Sequence, residues 1–370
     1  MTAKIYQAGM IGVGDITTLH APAYHNFPRA KLAAICDIDS RLLAQRANEW
    51  NVPQFTTDYR DLLRDPMIDI IEVNTPHSLH RKFVVEALAA GKHVACQKPL
   101  AVTIAEAEDM IAAARRAGGQ LRVFENFIYY PAYRKAKELL AAGEIGEPLA
   151  VRFKLGSSLF GGRWVPLRSE LWHLMESEAG RGQAVFDDGY HKLSQAIDLF
   201  GPVAEAQGYI GRSIRYVDEP GQLIWTYATS PVLGSFDLAF SPNLHIRSKY
   251  FSADERIDIT GTRGLLRITR CTGHIDDTAP LILERDGKRY LFDDLAADWQ
   301  ASFTAGIRDF PIALAEGRQA PLTGERALEI MRFALALIIA ARERSAVRPE
   351  SVTDEWAYRY VAAAAGGGAQ

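Results

Sequence analysis

Strand-like and helix-like segments alternate through residues 5–124, and this alternation constrains the fold more than any other feature. Short apolar runs predict buried strands, and the stretches between them predict helices. Strands are expected at Ile5–Ile11, Lys31–Cys36, Ile68–Val73, His93–Gln97 and Leu121–Phe124. Helices are expected after Gly14 toward Tyr24, at Arg41–Trp50, at Ser78–Ala90, and from a capping box at Thr103-Ile-Ala-Glu106 to Gly118-Gly119. The pattern is typical of an α/β domain built on a doubly wound parallel sheet.

Past Pro131 the pattern changes, and β-type runs dominate. After a helix through Ala136–Ala141, strands are expected at Leu149–Leu155, Ala204–Ile210, Leu223–Thr229, Val232–Phe240, Ile257–Thr260, Leu265–Thr269 and Leu281–Glu284. Further helices are expected in the later part of Phe186–Phe200 and near 298–316 and 323–345. These segments predict a second α/β domain with a large, mostly antiparallel open sheet. The expected domains are therefore 1–126 and 127–350, followed by a tail at 351–370.

Composition narrows the range of partners and locations. A chain of 370 residues, of which 48% are hydrophobic, is long enough for two cores. Its net charge of −3 does not favour binding to nucleic acid or to an anionic membrane. Because the first predicted strand begins at Ile5, we expect no signal peptide, and the longest apolar run, Phe333–Ala341, is too short to span a bilayer. We therefore expect a cytoplasmic protein that acts on small molecules.

The cysteines and histidines do not predict a metal site. Cys36, Cys96 and Cys271 are far apart in the sequence, without the paired spacing of zinc ligands. Cys36 and Cys96 fall in strand-like runs, where a free thiol behaves as a small buried hydrophobe. This usage fits a reducing compartment, and no bound metal is expected.

The segment Gly12-Val13-Gly14 directly follows the first strand. Glycines at such a turn let the backbone approach a pyrophosphate, and the next helix offers free N–H groups. Asp37 ends the second strand, where an acidic residue of a Rossmann domain accepts hydrogen bonds from the adenosine ribose. The turn therefore predicts binding of a dinucleotide, with Asp15 and Ile16 as further contacts.

The choice of dinucleotide rests on Asp37. Its charge would repel a 2′-phosphate, which favours NAD, whereas Arg41 nearby leaves NADP as an alternative. Thr17 occupies the third glycine position of the fingerprint. A glycine-rich turn that binds no ligand is the simpler alternative.

A polar segment, Asn74 to His80, lies between a predicted buried strand and a helix. Polar residues at the carboxyl end of a strand line the ligand cleft of an open α/β sheet. We expect Thr75, Pro76 and His80 to contact the cofactor. Capping of the following helix by Ser78 or its neighbours is an equally simple reading.

Lys98 follows the strand His93–Gln97 and precedes Pro99. At the nicotinamide end of a cofactor, its ammonium could hold a ribose hydroxyl and a substrate oxygen, and so stabilise a developing alkoxide. The bond before Pro99 is a candidate for a cis peptide. The alternative is a solvated lysine at a strand end.

The segment Phe186-Asp187-Asp188-Gly189-Tyr190-His191 follows the glycine-broken stretch Gly180-Arg-Gly182. Asp187 and His191 are four residues apart, so on a helical turn they share a face. A carboxylate can fix the tautomer of an imidazole, and His191 could then take a hydroxyl proton as general base. A satisfied structural histidine is the alternative.

Tryptophans beside charged residues, at Arg163-Trp164 and Trp172-His173, suit stacking on a sugar. Ordinary packing of a loop explains them as well. The loop residues 156–182 are expected to determine specificity, and they carry no readable code for a substrate.

Together these residues give the chain a resemblance to the glucose–fructose oxidoreductase and inositol dehydrogenase family, Gfo/Idh/MocA, over nearly its whole length. The motifs are Gly12-Val-Gly14, Asp37, Thr75-Pro76 with His80, Lys98-Pro99, Gly143-Glu-Ile-Gly146 and Asp187-x-Gly-x-His191. The resemblance implies an N-terminal Rossmann domain, a C-terminal α/β domain whose open sheet often builds dimers or tetramers, and NAD(P)-dependent oxidation of sugars, polyols or cyclitols. It also implies that Lys98, Asp187 and His191 are catalytic.

Two positions depart from the family pattern. Its usual Glu-Lys-Pro is here Gln97-Lys98-Pro99, and the aspartate common three residues after the histidine is Ser194. Gln97, together with Glu125-Asn126-Phe127, resembles a subgroup that includes D-apiose dehydrogenase. Gln97 and Asn126 are accordingly expected at the cofactor.

Two other functions remain open at this stage. A lyase or glycosidase could retain NAD and act through transient oxidation of its substrate. A binding protein could sense the cofactor without catalysis, although such a sensor needs none of Lys98, Asp187 and His191. Net production of NADH distinguishes the dehydrogenase from the lyase or glycosidase.

Overall fold

A computed structural model describes residues 4–158, 183–211, 220–271, 273–274, 276–296 and 298–359. The chain divides into two compact units. The first comprises Met1–Asn126 and Phe303–Leu328, and the second comprises Phe127–Ser302 and Glu329–Gln370.

The first unit contains a parallel sheet, and among its described residues six strands take part. They are β1 (Tyr6–Ile11), β2 (Ala30–Cys36), β3 (Gln54–Thr56), β4 (Ile70–Val73), β5 (His93–Gln97) and β6 (Leu121–Phe124). Their order is β3-β2-β1-β4-β5-β6, with every pair parallel. The order reverses direction beside β1, so ligands are expected at the carboxyl ends of β1 and β4. The predicted doubly wound sheet is confirmed.

Helices connect these strands: α1 (Thr17–His20), α2 (Ser40–Trp50), α3 (Tyr59–Arg64), α4 (His80–Ala89) and α5 (Ile104–Ala117). The hydroxyl of Thr103 accepts from the N–H of Glu106, as the capping box predicts, and Gly118 ends α5 with a φ of +67°. The helix predicted from Gly14 toward Tyr24 is divided. Its α-helical part ends at His20, and the next turn, Ala21–Tyr24, is a 3₁₀-helix that contains Pro22. Proline lacks the N–H that an α-helical turn needs.

The second segment of the first unit, Phe303–Leu328, comes from far along the chain and contacts the edge strand β6. Val123 N–H donates to Leu322 O at 2.9 Å, and Arg122 Nη1 donates to Gly306 O at 2.6 Å. Thr323 forms a β-bridge with Arg122. The residues 303–328 thus cover the outer side of β6, whereas the sequence assigned them to a domain of 127–350. Both boundaries of this returning segment fall inside helices. The first lies in α8 (Trp299–Glu316) and the second in α9 (Gly324–Glu343).

The second unit contains a larger sheet, in which eight strands of the described ranges pair in the order β14-β13-β12-β11-β7-β10-β9-β8. They are β7 (Pro148–Ser157), β8 (Val203–Ile210), β9 (Gly221–Tyr227), β10 (Leu233–Phe240), β11 (Ala253–Gly261), β12 (Gly264–Ile268), β13 (Leu281–Arg285) and β14 (Lys288–Phe292). Only β7 and β10 pair in parallel within this described sheet. The mostly antiparallel sheet is confirmed.

Alternation along these strands shows which face is covered. In β9, residues Leu223, Trp225 and Tyr227 are buried, while Gln222, Ile224 and Thr226 are exposed. Period-2 burial of this kind is expected when one face of a sheet meets the core. Helices α6 (Pro131–Ala141) and α7 (Tyr190–Phe200) also belong to this unit.

The tail predicted at 351–370 is described only in part. Residues Pro349–Ser351 form a 3₁₀ turn, and residues 354–359 are helical. In the portions of the chain that the structure describes, no helix has the length and apolar character needed to cross a membrane.

Candidate functional site

The turn after β1 donates two hydrogen bonds to the end of β2. Gly12 N–H donates to Cys36 O at 2.8 Å, and Val13 N–H donates to the Asp37 carboxylate at 2.8 Å. Gly12 has a φ of +90°, and a Cβ built there would lie 2.5 Å from Asn74 O. A side chain is therefore excluded at this position by the backbone after β4 as well as by its own conformation.

Gly14 differs from Gly12, because a Cβ built on it meets nothing within 4 Å among the described atoms. The space in front of Gly14 is open, whereas the space beside Gly12 is filled by protein. Gly14 is therefore the position at which the backbone leaves room for a ligand, and Gly12 serves the turn itself.

Asp15, Ile16 and Thr17 lead into α1. Ile16 is the N-cap residue, and Thr17 donates its hydroxyl to Gly14 O at 2.6 Å. Thr17 is fully buried, so it closes the turn where the fingerprint has a third glycine. Asp15 lies 3.9 Å from Arg46.

Asp37 is half-buried at the end of β2, and both of its oxygens accept from the backbone. One accepts from Val13 N–H and the other from Asp39 N–H at 3.0 Å. Asp39 in turn caps α2 through the N–H groups of Arg41 and Leu42. The carboxylate of Asp37 is thus held at the turn, where the sequence predicted an acceptor for a ribose.

Thr75 and Pro76 follow β4. Thr75 Oγ1 is buried and has no hydrogen-bond partner within the described part of the chain. An unmade hydrogen bond at a buried hydroxyl costs free energy, so an unpartnered group in a cleft indicates a place for a ligand. Pro76 is exposed and precedes the 3₁₀ turn His77–Leu79.

His80 is fully buried, and both ring nitrogens face main-chain oxygens. Nε2 lies 2.9 Å from Thr75 O, while Nδ1 lies 3.0 Å from Pro99 O and 3.2 Å from Leu100 O. These contacts brace the loop after β4 against the turn after β5. The structure thus gives this histidine a bracing position beneath the expected site.

Gln97 and Lys98 stand at the end of β5, and both are half-buried. The bond between Lys98 and Pro99 is cis, as expected. The Gln97 side chain reaches His20, with its Nε2 2.7 Å from His20 Nε2. Asn126, the last residue of the first unit, is buried at 2% exposure.

Sequence reasoning missed the buried ionisable cluster behind Gln97. His20 Nδ1 lies 2.9 Å from Glu72, and the Tyr24 hydroxyl donates to the same carboxylate. Burial opposes ionisation of Glu72, but its interaction with His20, its hydrogen bonds and Arg122 together hold its pKa below the usual range. Burial and the Glu72 charge raise the pKa of Tyr24 well above 10.0. The signal was available, because a glutamate inside the apolar run Ile68–Val73 needs a partner.

In the second unit, Asp187 and His191 lie at the junction of a π-helical turn, Gln183–Asp188, and α7. Asp187 is buried and His191 is half-buried. The His191 ring packs on Phe127 with the centroids 4.3 Å apart. Ser194, which stands where the family has an aspartate, donates its hydroxyl to His191 O at 2.9 Å.

Lys192 is a second feature that the sequence did not single out. Its side chain is fully buried, with Nζ 3.0 Å from Glu255 Oε1 and 4.4 Å from the centre of the Phe127 ring. Lys192 Nζ also lies 3.8 Å from Cys271 Sγ. An ion pair therefore supports the helical turn that carries His191.

Other expected features fall outside the described residues: Gly180-Arg-Gly182, Arg163-Trp164, Trp172-His173 and most of the loop 156–182. Within the described ranges, no three His, Cys, Asp or Glu side chains form a group that could hold a metal ion.

The residues of the first unit fit an NAD dinucleotide. The open space at Gly14 suits the approach of a pyrophosphate. The carboxylate of Asp37, held by the backbone, suits an acceptor for ribose hydroxyls. The buried hydroxyl of Thr75 has no hydrogen-bond partner among the described residues and suits either group.

Comparison with known proteins covers both units. The model of an oxidoreductase family with an NAD-binding Rossmann fold, GFO/IDH/MocA, matches residues 6–125. The model of the GFO/IDH/MocA C-terminal domain matches residues 133–267. Together the two matches cover more than half of the chain.

Curated relatives and a solved structure agree with these matches. D-apiose dehydrogenase of Paraburkholderia graminis is 26% identical over 367 residues, which cover 96% of this chain and 92% of the relative. Levoglucosan dehydrogenase of Pseudarthrobacter phenanthrenivorans is 31% identical over 201 residues, 52% of this chain and 50% of the relative. A solved levoglucosan dehydrogenase in complex with NADH and levoglucosan has a TM-score of 0.78 at 21% identity, covering 93% of this chain and 99% of that one. The structural likeness shows the fold.

Proposed function

Because the chain belongs to the GFO/IDH/MocA oxidoreductase family, whose first domain is an NAD-binding Rossmann fold, we propose that it is an NAD-dependent dehydrogenase of a sugar or polyol. The observation that carries the proposal is the arrangement of Gly14, Asp37 and Thr75, which suits a dinucleotide without a 2′-phosphate. The named sugar dehydrogenases among its relatives support the substrate class.

When bound, NAD+ supplies the acceptor for a hydride from the carbon that bears the substrate hydroxyl. Asp37 accepts hydrogen bonds from the adenosine ribose, Gly14 leaves room for the pyrophosphate, and Thr75 donates to the dinucleotide. Asp15 and Ile16 belong to the same turn as Gly14. Pro76, which follows Thr75, would lie beside the dinucleotide, and Gln97 and Asn126 would contact its nicotinamide half. His80 acts on this site by bracing the loop that carries Thr75.

We propose that Lys98 polarises the reacting oxygen and that His191 receives its proton. An ammonium beside a developing alkoxide stabilises negative charge in the transition state. A positioned imidazole contributes about 10²–10⁴-fold as a general base. Asp187, buried in the turn before α7, would orient His191.

The test is turnover of NAD+ and NADP+ with a panel of sugars, polyols and cyclitols, including levoglucosan and D-apiose, followed by the absorbance of the reduced cofactor. We expect net NADH formation and a preference for NAD+ over NADP+. A product without net NADH would instead indicate a lyase or glycosidase that retains its cofactor. Dinucleotide binding without turnover of any compound would indicate a sensor.

Two variants test the proposed roles. His191→Gln and Lys98→Met should each lower kcat by about 10²–10⁴-fold, without loss of NADH binding beyond about tenfold. The matched controls are His245→Gln and Lys31→Met, which alter exposed residues. If either active-site variant retained full turnover, the corresponding role would be wrong.

A further inference from the structure

The buried carboxylate of Glu72 has no part in the proposed reaction, yet it connects to the site. It lies in β4, whose residues are all buried, and it is itself 3% exposed. A buried charge is retained only with partners. Here they are the Tyr24 hydroxyl, His20 Nδ1 at 2.9 Å and, at 3.5 Å, the Asn74 amide.

His20 connects Glu72 to β5, because one ring nitrogen contacts Glu72 and the other contacts Gln97. The imidazole is 2% exposed and packs against Phe124 and Phe303, with centroids 4.7 and 5.5 Å away. Rotation of the ring is therefore restricted by packing. Its far nitrogen, Nε2, lies 2.7 Å from Nε2 of Gln97.

The protonation pattern follows from the carboxylate. An ionised carboxylate only accepts hydrogen bonds, so His20 Nδ1 must carry a hydrogen. In a neutral imidazole the other nitrogen, Nε2, then accepts, and its partner must donate. Gln97 can donate only through its NH₂ group, which fixes the orientation of the amide. The groups that face this cluster with charge or a titratable proton include Glu72 from β4, Tyr24 from the 3₁₀ turn and Arg122 from β6.

The amide orientation determines what Gln97 offers to a ligand. With its nitrogen on His20, the carbonyl oxygen Oε1 remains, and this oxygen has no hydrogen-bond partner among the residues described. Gln97 is the last residue of β5, at the carboxyl edge of the sheet where ligands of this fold bind, and it precedes Lys98.

We propose that Glu72, acting through His20, is a positioning residue that holds the Gln97 amide with its oxygen toward the nicotinamide half of the dinucleotide. There Oε1 accepts a hydrogen bond from a hydroxyl or amide donor of the ligand. The assignment of the ligand rests on the proposed function. The chain of hydrogen bonds from Glu72 to Gln97 does not.

The first test replaces the carboxylate with its neutral isostere, Glu72→Gln. Both tautomers of His20 then become available, and Gln97 is free to turn its amide. We expect NADH binding, measured by fluorescence titration, to weaken about five- to tenfold, as for loss of one oriented hydrogen bond. We also expect the ¹⁵N shifts of His20, assigned among the nine histidines by comparison with His20→Gln, to change from a single Nδ1–H tautomer to a mixture.

The matched control is Tyr24→Phe, which removes a hydrogen bond from the same carboxylate but leaves His20 and Gln97 joined. It should preserve the tautomer and the NADH affinity within about twofold. Equal losses in Tyr24→Phe and Glu72→Gln would show that the cluster matters only for folding, and the positioning role would be overturned.

The second test moves the carboxylate from position 72, on one side of His20, to position 97, on the other. Gln97→Glu alone places carboxylates on both sides of His20, which should make the imidazole doubly protonated. The double variant Glu72→Gln/Gln97→Glu should reverse the tautomer to Nε2–H and return NADH affinity to within about twofold of the wild type, because the carboxylate introduced on β5 always presents an acceptor. Since Gln97 is half-buried, the single variant Gln97→Glu remains informative if Glu72→Gln fails to fold.

The outcomes separate the two proposals. Wild-type protein that binds no dinucleotide refutes the proposed function, and the His20 tautomer in the single and double variants then decides the positioning role without a ligand. If the tautomer is unaffected by both Glu72→Gln and Gln97→Glu, the positioning role is refuted, whatever the activity of the protein.

Discussion

The imidazole of His191 lies against the ring of Phe127, with centroids 4.3 Å apart and ring planes inclined by 33°. Two other residues of α7 contact Phe127. Lys192 Nζ lies 4.4 Å from the ring centre, and Gln195 Nε2 donates to Phe127 O at 3.3 Å. The orientation of His191 therefore depends on a residue that takes no part in the proposed chemistry.

Replacement Phe127→Leu should expose this dependence. Leucine keeps an apolar contact but loses the flat surface that orients His191, so we expect kcat to fall about ten- to a hundredfold with little change in the KM for NAD+. Steady-state kinetics provide the measurement. The control Phe236→Leu makes a similar change in the core of β10 and should affect stability alone. Equal kinetic losses in both variants would argue against an orienting role.

Breaking the buried ion pair between Lys192 and Glu255 should lower the free energy of unfolding strongly. Lys192→Met would leave a buried carboxylate without its ammonium, which typically costs about 3–5 kcal/mol. Urea unfolding followed by circular dichroism measures the loss. The double variant Lys192→Met/Glu255→Gln removes both charges and should recover most of it. A double variant no more stable than the single one would contradict this explanation.

The cysteines should be unreactive in the folded protein. Burial raises the pKa of Cys36 and Cys271 to about 12, and that of Cys96 well above its usual value. Thiol reagents attack the thiolate, which is scarce under these conditions. We expect Ellman's reagent to modify none of the three rapidly in native protein, and all three in denaturant. Rapid modification of one native thiol would contradict the prediction.

His93 should make the stability of the first unit pH-dependent. Burial and nearby Lys4 lower the pKa of His93 below its ordinary value of 6.5, and its Nδ1 accepts from Gln120 N–H. The unfolded chain therefore binds a proton more readily below about pH 6.5, and the free energy of unfolding falls as the pH drops.

His93→Gln keeps an acceptor for Gln120 but removes the titration. Its urea midpoint should fall less than that of the wild type between about pH 7.5 and 5.5. Identical losses in both proteins would assign the acid sensitivity to other groups.

Asp37 should determine the preference between dinucleotides. Asp37→Asn removes the charge that repels a 2′-phosphate, so the ratio of kcat/KM for NADP+ to that for NAD+ should rise about tenfold or more. The control Asp39→Asn keeps a good N-cap on α2 and should leave the ratio unchanged. An unchanged ratio in Asp37→Asn would show that selection lies elsewhere.

Local sequence signals predicted the buried strands of the first unit well. β5 and β6 have the predicted bounds, because each is a buried apolar run followed by a clear change of character. The edge strands β3 and β14 were missed. Both are short and largely exposed, so they lack the hydrophobic pattern that marks a strand.

The candidate site was only partly predictable for a different reason. The turn at Gly12 and the acid Asp37 follow a fixed spacing, so sequence shows them directly. The pairing of His20 with Glu72 and Gln97 joins three separate segments, and no spacing rule relates them. Only the presence of Glu72 in an apolar run indicated that a partner was needed.

The return of residues 303–328 to the first unit has a consequence for synthesis on the ribosome. On the outer side of β6, Val123 N–H donates to Leu322 O and the Arg122 guanidinium donates to Gly306 O. During translation, the nucleotide-binding unit must therefore wait for nearly the whole second unit to emerge before this side is covered. Until then the nascent chain presents an unprotected strand edge, the kind of surface that invites chaperones or association between chains.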